Sequence, residues 1–326
     1  MWKTPKFWLE KNSLLAWILF PLGLLYSVAS WLRCVLVKPY KAPCPIICVG
    51  NATVGGAGKT PTVLAIAHLL QKNHQKVACL SRGYGGRLKG PVQVNSAHHK
   101  APDTGDEPLL LAQVAPTWVA KDRRKGALSI GSVDAILMDD GYQNPGLYKD
   151  LNLLVIDGPR GFGNGFVFPA GPLRGPLNHT LKQADAVVVI GRPSAEVTKV
   201  LKNVKQPTFQ ATLEPKESLK KFQNKKFIAF CGLATPDKFF QTLKDHKVKT
   251  LKEISFPDHY LFSDPDLETL LTLSQEQKAP LLTTEKDWVR LPDFYRKLVI
   301  PFPIVLKWEQ EEKFESFLMK KLHEVS

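Results

Sequence analysis

Short apolar runs alternate with segments of mixed polarity over most of the chain. Runs such as "IICV" at residues 46–49, "AILM" at 135–138 and "AVVVI" at 186–190 are too short for core helices and predict buried strands. The apolar-rich segment from about Lys59 to Gln71 predicts a helix. Strands that alternate with helices indicate a parallel sheet covered on both faces.

The alternation is interrupted in "NVKQPTFQATLEPKESLKKFQNKK", residues 203–226, and then resumes on a smaller scale. The later helices are predicted to begin near Pro236, Asp264 and Glu309. We therefore predict two α/β domains, residues 39–212 and 213–326, with a cleft between them as the default site. Residues 159–177, "PRGFGNGFVFPAGPLRGPL", are too rich in Gly and Pro for regular structure, and such a long loop is more often functional than idle.

The front of the chain has no charged residue between positions 12 and 32, a length that could cross a bilayer. A cleaved signal peptide, a spanning helix, an interfacial helix and a buried core helix are all compatible with this segment. Pro21 and Gly23 in its middle argue against a spanning helix, and four tryptophans with flanking lysines favour an interfacial one. We predict a membrane-associated helix within residues 1–38, monotopic or single-pass.

The net charge of the chain is +14, which suits an anionic partner. An anionic membrane surface, a phosphorylated substrate and nucleic acid would all fit this charge. The basic residues are not interleaved with aromatic ones as in a base-stacking surface, so we expect no nucleic-acid partner. The oligomeric state stays open.

The segment "TVGGAGKT", residues 53–60, follows a predicted strand and precedes a predicted helix. This is the context of a phosphate-binding P-loop, although Thr53 stands where the general pattern has its first glycine. The residues predicted to surround the phosphates are Thr53, Gly55, Gly56, Gly58, Lys59 and Thr60. Lys59 is expected to reach the β- and γ-phosphates, and the Thr60 hydroxyl to hold Mg²⁺. The alternative is a Gly-rich turn that binds nothing.

Acidic residues stand at two further positions with a chemical interpretation. Asp139 and Asp140 end a predicted strand, where P-loop enzymes hold magnesium; two adjacent acids there are unfavourable without a cation. Asp106 and Glu107 fit an ordinary helix start, or Asp106 is a general base for a substrate hydroxyl. His259 gains interest only if the cleft brings it beside these acids.

The segment "TTEKDW" could suggest guanine recognition, but Lys286 and Asp287 are adjacent without the intervening residue that such a motif needs. No Asp-x-x-Gly element follows the P-loop at a suitable place. A GTPase is therefore disfavoured.

Eight motifs together resemble one family. In order they are "VGNATVGGAGKTP", "SRGYGGR", "GDEP", "KDRR", "DDGYQN", "PAGPLRGPL", "FPDHY" and "TTEKD". This is the order seen in the tetraacyldisaccharide 4′-kinases, and that family's loop accommodates Thr53. The resemblance implies a P-loop NTPase-type α/β fold with two α/β/α sandwich domains facing a cleft. It also implies ATP-dependent phosphorylation of the 4′-hydroxyl of a tetraacylated glucosamine disaccharide 1-phosphate, giving lipid IVA in lipid A biosynthesis, at the cytoplasmic face of the bacterial inner membrane.

The resemblance also implies roles for individual residues. Asp106 resembles the catalytic base, and His259 the partner that orients it and raises its basicity. The acidic set around Mg²⁺ would be Glu107, Asp139 and Asp140, together with Thr60. Gln143 is expected near the phosphates, and Arg82, Arg123 and Arg174 lie in matching basic loops.

Two other functions stay open on the sequence alone. One is a membrane-associated P-loop ATPase that acts as a switch or a delivery protein. The other is a kinase of a soluble metabolite, in which the N-terminal helix serves only for packing.

Overall fold

The computed structural model describes residues 5–216, 219–222 and 225–325. In chain order its strands are β1 (Ile46–Asn51), β2 (Val77–Ser81), β3 (Val92–Gln93), β4 (Thr117–Val119), β5 (Ala135–Asp139), β6 (Leu151–Asp157), β7 (Ala186–Ile190), β8 (Thr208–Pro215), β9 (Lys226–Cys231), β10 (Lys249–Ser255), β11 (Leu281–Thr284), β12 (Val299–Phe302) and β13 (Ile304–Trp308). Its helices are α1 (Leu14–Leu36), α2 (Lys59–Lys72), α3 (Ala101–Thr104), α4 (Asp106–Leu111), α5 (Arg123–Ser129), α6 (Leu177–Lys182), α7 (Ala195–Leu201), α8 (Pro236–Asp245), α9 (Asp264–Glu276), α10 (Glu285–Trp288), α11 (Asp293–Arg296) and α12 (Glu311–Val325). Short 3₁₀ helices lie at Lys6–Trp8 and Leu219–Lys221.

The strands form two sheets. The first has nine strands in the order β13-β8-β7-β6-β1-β5-β2-β4-β3, and the second has four in the order β10-β9-β11-β12. Neighbouring strands are parallel except for β13 with β8 and β3 with β4. Strand β1 lies between β5 and β6, so the chain winds outward in both directions from it. In such sheets the ligand crevice opens at the carboxyl ends of the strands beside this point.

Both faces of the first sheet are covered by helices. In β1, Ile47 and Val49 belong to the core that includes α2 and α12, whereas Ile46 and Cys48 belong to the core with α5, α6 and α7. The alternation follows from the two-residue period of a strand. The second sheet packs α8 on one face and α9 on the other. The predicted α/β architecture, with helices on both faces, is confirmed.

The end of the chain returns to the first sheet, which differs from the predicted domain of residues 213–326. Strand β12 belongs to the second sheet, but after Pro303 strand β13 pairs antiparallel with β8. Helix α12 then buries Phe314 and Leu318 in the core of the first sheet. The predicted boundary does not hold for residues 304–325. The run "LVIPFPIVLKW" is continuous in sequence, and only its pairing partners separate it into two strands.

Helix α1 is a single 23-residue helix that continues through Pro21. It is long and apolar enough to cross a membrane, and 11% of its most apolar window is buried. The side of α1 that faces the first domain is a narrow stripe of small residues, Ala16, Gly23, Ser27 and Ser30. Most of the large apolar side chains of α1 are exposed. A Cβ at Gly23 would lie 2.8 Å from the carbonyl oxygen of Val167. Gly23 is therefore a packing contact and not a helix break.

This contact predicts the effect of a side chain at position 23. We expect Gly23→Val to push α1 away from residues 162–173 and to weaken that packing by about 1–3 kcal/mol, the usual cost of overpacking. Hydrogen exchange in detergent micelles should be about tenfold faster or more in residues 162–173. Ala29→Val is the matched control, because Ala29 is exposed on the same helix. Equal exchange in the two variants would contradict the packing role.

Candidate active site

The loop between β1 and α2 is held from inside by Asn51, the last residue of β1. The buried Asn51 amide donates to the carbonyl oxygens of Thr53 at 2.6 Å and Gly55 at 3.2 Å. Gly58, the N-cap of α2, has φ of 87°, and Gly55 has φ of 109°, a region that side-chain-bearing residues rarely adopt. A Cβ at Gly56 would meet nothing within 4 Å, so this part of the loop borders open space.

The Gly/Pro-rich segment, residues 159–177, supports the same loop from outside. The Val54 N–H donates to the carbonyl oxygen of Pro172 at 2.7 Å, and the Arg174 N–H donates to that of Ala52 at 2.8 Å. An isolated bridge joins Thr53 to Leu173. The segment therefore fixes the P-loop, and it also carries Arg174 to the edge of the sheet.

Lys59 and Thr60 begin α2 and face the carboxyl end of β5. The Lys59 Nζ lies 3.2 Å from Asn51 Oδ1 and 3.8 Å from Asp140 Oδ1. The Thr60 hydroxyl donates to Asp139 Oδ2 at 3.3 Å. The N-terminal end of a helix and a buried ammonium group together favour an anion at this position.

Asp139 has one oxygen without a protein partner. Its Oδ1 is buried and accepts no hydrogen bond within the part of the chain that the structure describes. Burial, followed by the charge of Glu107, raises the pKa of Asp139 to about 7. An unpartnered carboxylate oxygen beside a hydroxyl is a donor set that suits a hard divalent cation.

Asp140 and Glu107 already have cationic partners. Arg174 donates to both oxygens of Asp140, at 2.7 and 3.1 Å, and the Lys286 ammonium lies 2.9 Å from Glu107 Oε1. Partial burial would raise the pKa of Asp140, but Lys59 and Arg174 outweigh it and lower that pKa. Within residues 5–216, 219–222 and 225–325 no group of three or more His, Cys, Asp or Glu residues could hold a metal ion. Asp140 and Glu107 are thus held by cationic side chains, whereas Asp139 keeps one oxygen open beside the Thr60 hydroxyl.

The second domain contributes three side chains around Asp106. The carboxylate of Asp106 is 3% exposed, and its Oδ2 lies 3.2 Å from His259 Nδ1 and 3.9 Å from Lys286 Nζ. Arg290 donates to the same oxygen through Nε at 2.8 Å and also through its terminal NH₂. Burial would raise the pKa of Asp106, but Lys286, His259 and Arg290 outweigh it and hold that pKa well below its usual range. Asp106 is therefore ionised at neutral pH.

Two site residues have a left-handed backbone. Asp140 has φ of 51° and His259 has φ of 54°. Such residues persist only where surrounding contacts hold them, and they are frequent at functional sites. Arg174 binds the Asp140 carboxylate, and the His259 N–H donates to the Gly232 carbonyl oxygen at 3.1 Å.

The other predicted residues lie close by or at the periphery. Gln143 donates to the Asn51 carbonyl oxygen at 3.4 Å and accepts from Arg174 at 3.2 Å. Arg82 is exposed, whereas Arg123 is buried and donates to the Ala120 carbonyl oxygen at 2.6 Å. Burial lowers the pKa of Arg123 to about 10.

Asn51, Lys286 and Arg290 were not predicted as site residues. Asn51 immediately precedes the P-loop, but its inward amide is visible only in the structure. The only sequence signal for the two cations is their spacing of four residues in "TTEKDWVR".

A mainly parallel sheet with a P-loop at its switch point, and a buried carboxylate bound by side chains of the second domain, are the features expected of a P-loop phosphotransferase. Residues 15–323 match the family described as Tetraacyldisaccharide-1-P 4′-kinase. The chain belongs to this family of kinases, as its motifs predict.

Individual relatives agree with this assignment. The tetraacyldisaccharide 4′-kinase of Bradyrhizobium diazoefficiens is 42% identical over 328 residues, covering 98% of this chain and 97% of that protein. The kinase of the same name from Parvibaculum lavamentivorans is 44% identical, covering 89% of this chain and 86% of its own. The crystal structure of the "apo" form of LpxK from Aquifex aeolicus in complex with ATP superposes with a TM-score of 0.78 at 31% identity, covering 95% of this chain and all of that one.

The raised pKa of Asp139 predicts an unusual dependence of stability on pH. Because its folded pKa of about 7 exceeds its usual value of 3.8, the folded state keeps the proton over that interval. Its contribution to stability is therefore present at acid pH and is lost as the pH rises toward 7, by an amount on the order of a few kcal/mol.

Thermal unfolding of the metal-free protein at pH 5 and pH 8 measures this effect. The loss of stability between the two values should be smaller in Asp139→Asn than in the parent. Asp245→Asn, at an exposed position, should leave the difference unchanged. An identical pH dependence in Asp139→Asn and the parent would contradict the assignment.

Proposed function

We propose that this chain transfers the γ-phosphate of ATP to the 4′-hydroxyl of a tetraacylated glucosamine disaccharide 1-phosphate. The supporting observation is the pairing of the buried Asp106 carboxylate with His259, in a chain that carries Lys59 on its P-loop and belongs to the tetraacyldisaccharide 4′-kinase family. The product would be the bisphosphorylated lipid used in lipid A biosynthesis.

Asp106 receives the substrate hydroxyl in this proposal. Its Oδ1 accepts the Glu107 N–H at 2.9 Å, and a carboxylate oxygen has a second lone pair for another donor. The low pKa of Asp106 makes it a weak base. That suits a loose phosphoryl-transfer transition state, in which orientation of the hydroxyl matters more than early proton removal. His259 orients the carboxylate through Nδ1.

Lys59 and Arg174 offset the charge of the phosphates. Lys59 lies where it can reach the β- and γ-phosphate oxygens of a nucleotide in the loop. A Mg²⁺ ion held by Asp139 and Thr60 would neutralise further charge on those oxygens, with phosphate and water as its other ligands. The unpartnered Oδ1 of Asp139 supports this assignment.

Transfer of labelled phosphate tests the proposal directly. With γ-labelled ATP and a tetraacyl disaccharide 1-phosphate in micelles, we expect a labelled bisphosphorylated lipid. Asp106→Ala should lower kcat about 10²-fold or more, with the affinity for ATP nearly unchanged, because a general base contributes on that scale. Asp245→Ala is a control at an exposed acid outside the site.

The outcomes separate the alternative functions. ATP hydrolysis that persists without any lipid product would favour a membrane-associated ATPase. Phosphate transfer to a water-soluble acceptor that does not change when residues 1–38 are deleted would favour a kinase of a soluble metabolite.

We further propose that α1 lies in the cytoplasmic membrane interface and does not span the bilayer. Before the helix, the Trp8 indole donates to the Pro169 carbonyl oxygen at 3.0 Å. After it, the Tyr40 N–H donates to the Gly146 carbonyl oxygen at 3.0 Å. Both ends are thus bound to the first domain, while most apolar side chains of the helix remain open to lipid.

Labelling from each side of the membrane tests this topology. In a Cys34→Ser background, Lys11→Cys and Lys38→Cys should both react with a membrane-impermeant maleimide in inverted inner-membrane vesicles. Neither should react in spheroplasts, because an interfacial helix keeps both ends on one side. Reaction of one end in spheroplasts would show a spanning helix.

A further inference from the structure

Arg290 connects the second domain to the Asp106 carboxylate. Its side chain is 2% exposed and forks between two groups. On one side Nε and the terminal NH₂ donate to Asp106 Oδ2. On the other, the second terminal nitrogen donates to Asp287 Oδ1 at 2.7 Å and to the Gly232 carbonyl oxygen at 3.0 Å.

Two groups of the second domain, Asp287 and the Gly232 carbonyl, bind this guanidinium on the side away from Asp106. Asp287 is fully buried, and its Oδ2 accepts the Thr284 hydroxyl at 2.7 Å. The Gly232 carbonyl oxygen also accepts the His259 N–H. A Cβ at Gly232 would lie 3.1 Å from Asp287 Oδ1, so this corner is tightly packed. One backbone carbonyl group, that of Gly232, therefore holds both Arg290 and His259 in position.

Asp106 has little support from its own helix. Helix α4 has six residues and begins after Gly105, whose φ is 87°. The charged or titratable side chains that face Asp106 are His259, Lys286, Asp287 and Arg290. Arg290 and His259 occupy Oδ2, which leaves the second lone pair of Oδ1 for a substrate group.

We propose that Arg290 is a positioning residue for phosphoryl transfer: held by Asp287, it binds Oδ2 of Asp106 and so turns Oδ1 toward the acceptor hydroxyl. This inference rests on the proposed function. Lys286 already supplies a positive charge 3.9 Å from Asp106. Arg290 adds control of orientation. Because its planar guanidinium is bound on both sides, it fixes the orientation of the Asp106 carboxylate, which a single ammonium group does not do.

Kinetics of Arg290→Lys and Arg290→Gln test the role. We expect kcat to fall about tenfold in the lysine variant, which keeps the charge and loses the fork, and about 10²-fold in the glutamine variant. The KM for ATP should stay within about twofold, since Arg290 does not face the P-loop. Arg296→Lys is the matched control, because Arg296 also bonds an aspartate and a backbone carbonyl but does not touch Asp106.

The same substitutions in an Asp106→Asn background decide whether Arg290 acts through Asp106. A residue that only positions Asp106 should lose its effect, so each change should then alter kcat by less than about twofold. If each Arg290 substitution lowers kcat by the same factor in the Asp106→Asn background as in the parent, the inference is overturned. A loss confined to ATP affinity would also overturn it. If Arg290→Gln does not fold, because two buried carboxylates lose their partner, Arg290→Lys decides alone.

These outcomes are distinct from failure of the proposed function. If the parent protein forms no labelled lipid, the proposed function fails before Arg290 is considered. If the parent transfers phosphate and Asp106→Asn slows it, but Arg290 acts independently of Asp106, only the positioning role is lost.

Discussion

The burial of charge at the carboxyl edge of the first sheet is the constraint on which the rest of the structure depends. Lys59, Asp106 and Asp139 are almost completely removed from water there. A buried charge is tolerated only with a partner of opposite sign or a bound ion. The partners come from distant parts of the chain: Asp140 after β5 for Lys59, and Lys286 and Arg290 from the second domain for Asp106. The same ion pairs that satisfy the site thus join the two domains.

The local sequence was sufficient to predict those parts of the site whose residues lie close together in the chain. The strand, loop and helix around Lys59 were predicted closely, because a glycine-rich turn between an apolar run and a helix has few other conformations. The position of Asp139 at a strand end was predicted for the same reason. The proximity of Asp106 and His259, 153 positions apart, came from resemblance to a family and not from any pattern in the chain.

The parts that were missed depend on long-range pairing. Nothing near Pro303 indicates that β13 leaves the second sheet, because both halves of that run are equally apolar. Arg290 looked like an ordinary charged residue after a motif, and its burial follows only from the approach of α4. Pro21 and Gly23 were arguments against a spanning helix, whereas packing against Val167 accounts for the glycine.

The return of the chain to its first sheet has a consequence for biosynthesis. Among the described residues, strand β8 is paired on its outer side by β13 alone, and the four strands of the second sheet lie between β8 and β13 in the chain. During synthesis, β8 therefore remains an open edge until the second sheet has been made. The first sheet is thus completed only after the second, and a chain interrupted before residue 304 leaves the edge of β8 free for pairing with other chains.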